Sequence, residues 1–207
     1  MNRTRAFTLI ELLVVIAIVA VLAGLAFPVF QSVQNSAKRT QAKNDVTQIV
    51  TAVNAFYTEY GRYPIAATVT TDTAATYGQG SNNSKAVFDE LRAKSTALNT
   101  RQIVFISPAE DRNQVAPKGK IGSDDQFYDP WGSAYLLRID ADYDNEVANP
   151  YDPDTTAGPS RIRQGVLSWS LGKNGALGGG AAATSSYGTE PGTAGRYQTS
   201  GDVISWQ

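Results

Sequence analysis

Carboxylates are the side chains in this 207-residue sequence whose spacing most clearly suggests chemistry. They alternate through Asp140-Ala141-Asp142-Tyr143-Asp144-Asn145, and Asp152 and Asp154 follow nearby. Alternating carboxylates can converge on a hard cation, but an EF-hand loop needs Gly at its sixth position and Glu at its twelfth. This chain has Asn145 and Tyr151 there. The pattern excludes an EF-hand and favours a solvated acidic turn over a cation site.

Composition excludes most other catalytic chemistry. The chain has no histidine and no cysteine, which removes imidazole bases, Ser-His-Asp and Cys-His nucleophiles, Cys/His zinc sites and disulfides. Its glycine-rich runs lack the Gly-Lys-Ser/Thr of a phosphate-binding loop. Lys and Arg total 18 and Asp and Glu total 19, without the basic excess of a nucleic-acid binder. We therefore expect neither an enzyme nor a nucleic-acid partner.

One carboxylate stands at the start of a long apolar segment. Arg3 and Arg5 come first, then Glu11, and no residue from Leu12 to Phe30 is charged. Such a segment approaches the roughly 20 residues that cross a bilayer as a helix, and the arginines place the N-terminus in the cytoplasm. A secretory signal peptide fits poorly because no small-x-small cleavage site follows. A plain signal anchor remains an alternative.

Glu11 distinguishes these possibilities. A carboxylate within an apolar membrane segment costs about 2.5–3.5 kcal/mol and tends to be functional and partnered. The alternative is that Glu11 only marks the membrane boundary. The order of basic leader, small residue, Phe, Glu four positions on and apolar helix favours a functional role.

The segment Arg5-Ala6-Phe7-Thr8-Leu9-Ile10-Glu11-Leu12-Leu13-Val14-Val15 resembles the class III signal of type IV pilins and of type II secretion pseudopilins. The resemblance implies that a prepilin peptidase cuts between Ala6 and Phe7 and methylates the new amine of Phe7. That family usually has Gly where Ala6 stands. Glu11 of one subunit can neutralise the amine of its neighbour, which would set the register of helices in a filament.

The sequence predicts that this motif lies at the start of a long helix. Apolar residues recur at three- and four-residue steps on Val46, Ile49, Val50, Val53, Phe56, Tyr57 and Tyr60. We predict one helix over residues 7–60, with a transmembrane and filament-core half at 7–30 and an amphipathic half at 31–60, after a leader at 1–6. Gly24 and Pro28 predict a bend or local melting, either an ordinary proline kink or a hinge. Gly61 is the predicted C-cap, and Pro64 prevents continuation.

Residues 61–207 are predicted to form the head. Ala66–Ser84 is expected to be a loop and Lys85–Leu98 a short amphipathic helix. Strands are predicted at Ala134–Ile139, Gly165–Ser170 and Val203–Trp206, and without crossover helices they should pair antiparallel. The predicted fold class is α+β, with a long N-terminal helix packed on a small antiparallel sheet, as in pilins.

Two segments of the head resemble the type II secretion major pseudopilin. Asp129-Pro130-Trp131-Gly132 is similar to its Asp-Pro-Trp-Gly segment, and a simple turn with Trp131 in the core explains that motif without chemistry. The C-terminal stretch is similar to its calcium loop, which implies Leu171, Asn174 and Asp202 as Ca²⁺ ligands. Asn174 replaces the usual Asp, which weakens a site. The alternative is a glycine-rich loop held by Trp206.

The resemblance implies a structural subunit of a type II secretion pseudopilus, polymerised to drive export across the outer membrane. It would be a single-pass protein of the bacterial inner membrane with a periplasmic head, and after assembly a periplasmic filament. Implied partners are copies of itself, the prepilin peptidase, the assembly platform with its ATPase, minor pseudopilins and the lipid bilayer. The alternatives are a type IV pilin for adhesion, motility or DNA uptake, and an anchored binding protein that never polymerises.

Overall fold

The first element that the structure describes is a long helix, α1, from Leu9 to Tyr60. The computed structural model describes residues 9–78, 82–152, 154–175, 177 and 196–207, with the side chains of residues 25–29, 196 and 199 outside that description. Helix α1 continues through Gly24 and Pro28, and the bend expected there stays a prediction. It ends where Gly61 adopts a φ of 65° and donates its N–H to the Tyr57 carbonyl oxygen at 2.8 Å, which confirms the glycine cap.

The chain divides into two compact units, Met1–Lys38 and Arg39–Gln207. In the first unit the large apolar side chains of α1 are exposed from Leu9, at 81%, to Leu22, at 62%. Within the part of the chain that the structure describes, no helix has both the length and the apolar character needed to cross a membrane. The domain boundaries expected after residues 6, 30 and 60 stay predictions.

The second unit contains the C-terminal part of α1, which buries one face. The buried positions recur every three or four residues, as a stripe along a helix requires. They include the predicted Val46, Ile49, Val53 and Phe56, together with Ala42 and Ala52. Tyr57 was predicted in the same stripe but is 39% exposed.

A small antiparallel sheet packs against this face. The strand order is β1 (Thr76–Tyr77), β2 (Leu136–Ile139), β5 (Val166–Ser170) and β6 (Val203–Ile204), and β3 (Val147–Ala148) pairs with β4 (Arg161–Ile162) in a second sheet. The remaining elements are α2 (Lys85–Leu91), α3 (Arg196–Ser200) and 3₁₀ turns at Thr155–Ala157 and Gly172–Asn174. The predicted α+β class is confirmed, and the arrangement is consistent with a pilin-like fold.

Both faces of the four-stranded sheet are covered. Leu137 and Ile139 lie in a core with α1, whereas the preceding residue, Leu136, lies in a second core with Trp169 and Tyr151. Side chains alternate between faces along a strand, which explains the division. Because both faces of the sheet are covered, every residue of β5 is buried, and neither face of this strand contacts solvent.

Two sequence-based boundaries were wrong. The segment Ala66–Ser84 contains strand β1 and is not only a loop. Helix α2 ends at Leu91, not Leu98, because Ala93 takes a left-handed φ of 56° and the Glu90 carboxylate accepts the N–H of Asn99 at 2.7 Å. The three predicted strands do contain β2, β5 and β6, each shorter than expected.

The turn before β2 is organised by the fully buried carboxylate of Asp129. One oxygen accepts the backbone N–H groups of Trp131, Gly132 and Ser133 at 2.8–2.9 Å, and the other accepts the Ser170 hydroxyl at 2.5 Å. Burial raises the pKa of this carboxyl, while the four hydrogen bonds act in the opposite direction. The predicted turn is confirmed, but Asp129 anchors it more directly than the half-buried Trp131.

Replacing Asp129 with Ala should strongly destabilise the chain. The change leaves four donors without their acceptor, and we expect a loss of roughly 3–4 kcal/mol in the free energy of unfolding. Chemical denaturation monitored by tryptophan fluorescence would measure it. Asp152→Ala, at an exposed position, is the matched control and should change little. A free energy of unfolding for Asp129→Ala equal to that of the control would contradict this role.

A second carboxylate, Asp125, joins α2 to the loop at residues 110–125. Its oxygens contact Lys85 Nζ at 2.7 Å and Arg112 Nη1 at 2.7 Å, and Arg92 and Lys94 approach at 3.4 Å. Burial alone would raise the pKa of Asp125, but the hydrogen bonds and charges of Lys85 and Arg112 outweigh it and lower the pKa to about 2.

This lowered pKa makes stability depend on pH. The folded-state pKa of Asp125 lies below its ordinary 3.8, so its contribution is complete above that value and is lost as pH falls toward the folded-state pKa. Between about pH 5 and about pH 2 we expect the wild type to lose about 1 kcal/mol more than Asp125→Asn, because Lys85 and Arg112 are exposed and water screens their charges. Urea unfolding at several pH values would show it. Parallel curves for the two proteins would refute it.

Candidate functional site

The N-terminal motif places a carboxylate among apolar side chains. Glu11 lies in the first turn of α1 with an exposed side chain, and its neighbours Ile10 and Leu12 are 74% and 58% exposed. A negative charge is favourable at this end of a helix because of the helix dipole. Ala6 and Phe7, the predicted cleavage and methylation positions, lie outside the described residues. The described geometry offers an anionic acceptor for a cationic group within an apolar surface.

The proposed calcium loop is brought together in space. Leu171 precedes the 3₁₀ turn Gly172–Asn174, and Asn174 Nδ2 donates to the Ser200 carbonyl oxygen at 3.2 Å. Gly172 has a φ of 63°, and a Cβ there would lie 2.5 Å from the carbonyl oxygen of Gly201. Glycine is therefore required for the two segments to approach so closely.

The three expected calcium ligands differ in environment. Asp202 is 1% exposed, and its Oδ2 accepts the Tyr151 hydroxyl at 2.9 Å. Leu171 is also buried, whereas Asn174 is exposed. One carboxylate, one amide and one backbone carbonyl are oxygen donors that Ca²⁺ accepts, so the residues fit a cation, but a single carboxylate implies a weak site. Calcium binding by this loop stays a prediction.

The acidic segment after β2 is only partly a cluster. Asp140 and Asp142 come together, and Asp72 from the segment before β1 joins them, with one carboxylate oxygen of each within 4.8 Å of the others. Asp154 lies elsewhere, because its carboxylate caps the 3₁₀ turn by accepting the Thr156 N–H at 2.9 Å. Asp144 pairs with Arg161 at 3.3 Å.

Sequence reasoning missed Asp72, and no local signal could have found it. It lies in a segment rich in Thr and Ala, and it reaches Asp140 only because β1 pairs with β2. Its Oδ1 accepts the N–H of Ala141 at 2.9 Å. Burial is the main cause that raises the pKa of both Asp72 and Asp140, and the neighbouring carboxylates raise it further.

Comparison with known proteins identifies the N-terminal segment. Residues 1–27 match the family model described as the prokaryotic N-terminal methylation motif. The type IV pilin and pseudopilin signal is thus present, and it implies processing by a prepilin peptidase and polymerisation. The motif is also consistent with membrane anchoring. No curated protein and no solved structure matches this chain.

Proposed function

We propose that this chain is a structural subunit of a type II secretion pseudopilus. The observation that carries the proposal is the methylation motif at residues 1–27, which leads into a helix with exposed apolar side chains. The Asp129 turn and the loop at Leu171 are the segments of the head that resemble the major pseudopilin. The absence of cysteine argues against the cysteine-closed C-terminal loop of many type IV pilins.

Processing creates the chemistry at the N-terminus. Hydrolysis of the peptide bond between Ala6 and Phe7 frees an amine on Phe7, and methylation keeps that amine cationic. Glu11 of a neighbouring copy accepts this cation. In apolar surroundings an unpaired carboxylate costs about 2.5–3.5 kcal/mol, so pairing favours the one axial position at which amine and carboxylate meet.

The exposed apolar surface from Leu9 to Leu22 explains where the subunit resides before and after assembly. Side chains this exposed in a single copy are stabilised by lipid or by the same segment of other copies. We place the unassembled subunit in the inner membrane, with its N-terminus in the cytoplasm and its head in the periplasm. Assembly replaces lipid contacts with contacts between copies in a periplasmic filament.

The chain requires other components for this cycle. It carries no nucleotide-binding motif, so the energy for assembly is supplied by an ATPase acting through the inner-membrane platform. The prepilin peptidase prepares each subunit, and minor pseudopilins complete the filament. Nucleic acid is not a partner in this proposal.

Replacing Glu11 with Gln should abolish assembly. The variant loses the carboxylate that accepts the neighbour's amine, and we expect the filament fraction in sheared or pelleted cell material to fall at least about tenfold. Immunoblotting and electron microscopy would measure it. Glu59→Gln makes the same chemical change on the same helix, at an exposed residue that pairs with Arg101, and should assemble normally.

Filaments of Glu11→Gln at the wild-type level would overturn the register role. A wild-type chain that never leaves the membrane fraction would instead indicate an anchored binding protein. Deleting the gene separates the two machines: loss of secreted proteins with surface pili intact supports the pseudopilus, whereas loss of surface pili with secretion intact identifies a type IV pilin.

A further inference from the structure

The cluster of Asp72, Asp140 and Asp142 contains a buried carboxylate oxygen that has no hydrogen-bond partner among the described residues. Asp140 is 1% exposed, and its Oδ2 accepts the N–H of Asn145 at 2.9 Å. Its Oδ1 is buried and has no hydrogen-bond partner among the described residues. One carboxylate oxygen from each of the three residues lies within 4.8 Å of the other two. Three acidic groups therefore converge beside an orphaned buried acceptor.

The basic side chain of Arg138 does not neutralise this cluster by a salt bridge. Arg138 interacts favourably with the charge of Asp72, but its hydrogen bonds go to Thr76 Oγ1 at 2.7 Å and to the Ala148 carbonyl oxygen at 2.9 Å. Within the described ranges no salt bridge includes any of the three aspartates. Burying a polar acceptor without a partner is costly, and adjacent carboxylates add repulsion.

We propose that Asp72, Asp140 and Asp142 bind a calcium ion. Ca²⁺ takes six to eight oxygen ligands at about 2.3–2.6 Å, so its ligand sphere has a diameter of about 4.6–5.2 Å and accommodates three oxygens spaced as these are. The ion supplies the partner that Asp140 Oδ1 lacks. Asp142 is exposed, so water completes the coordination on that side.

The position of this site gives it a structural consequence. Asp72 lies in the segment before β1, and Asp140 and Asp142 lie in the turn after β2. A shared ion fastens the two segments at the end of the β1–β2 pair, where the bond from Ala141 N–H to Asp72 Oδ1 already joins them. The site is distinct from the Leu171, Asn174 and Asp202 loop and does not depend on the proposed filament role.

Calcium titration of the full-length chain in detergent tests the proposal. Isothermal titration calorimetry gives the affinity for Ca²⁺, and the melting temperature is recorded in EDTA and in excess Ca²⁺. The wild type should bind and melt at a higher temperature with Ca²⁺. Asp142→Asn and Asp72→Asn should each lower the affinity at least about tenfold, because each removes a charged ligand. Asp152→Asn, at an exposed position outside the cluster, should bind as the wild type does.

The variants also separate folding from binding. Asp142 is exposed, so Asp142→Asn should keep the wild-type circular dichroism spectrum and melting temperature in EDTA and lose only the shift caused by Ca²⁺. A wild-type chain without Ca²⁺ binding, or Asp142→Asn with unchanged affinity, would overturn the proposal. Affinity lost in Asp202→Asn but kept in both cluster variants would place the ion in the C-terminal loop and overturn it equally.

Discussion

The burial of one face of helix α1 is the interaction on which the second unit depends. Val46, Ile49 and Phe56 are completely buried in a core that also contains Leu137 and Ile139 of the central strand β2. The Tyr135 hydroxyl donates to Asp45 Oδ2 at 2.7 Å beside this core, so the helix and the segment leading into β2 are also joined by a polar contact. With the helix covering one side, the sheet must bury its other side against Tyr151, Trp169 and Ile204, and the loops that form this second core are held close as a result.

The same helix presents a different surface in the first unit. Its apolar side chains there are exposed, and Glu11 stands among them. Apolar side chains of the same helix are therefore buried within the chain in the second unit and exposed in the first, where an exposed apolar surface is typical of a contact with lipid or protein. The proposed filament subunit, which would hold this surface in lipid and later exchange lipid for copies of itself, accounts for both outcomes, and the methylation motif at residues 1–27 is the observation that supports it.

The elements that could be predicted from the sequence are those specified by residues close together in the chain. Helix α1, its glycine cap and strands β2, β5 and β6 follow from periodicity and turn residues that act over a few positions. The two-residue strand β1 could not be predicted, because it exists only through pairing with β2. The acidic cluster shows the same limit: Asp140 and Asp142 are visible as a pair in sequence, but Asp72 joins them through that tertiary pairing. Asp129 was noticed as part of a motif, while its four hydrogen bonds depend on the turn and on Ser170 of a distant strand.

The intact mass and N-terminal sequence of the protein isolated from its own membranes test the central claim most directly. A chain that begins at Phe7 with a methylated amine would establish the processed subunit from which the pairing with Glu11 follows. A chain that still begins at Met1, in cells with an active prepilin peptidase, would contradict the filament account and leave a membrane-anchored binding protein as the explanation of the exposed apolar helix.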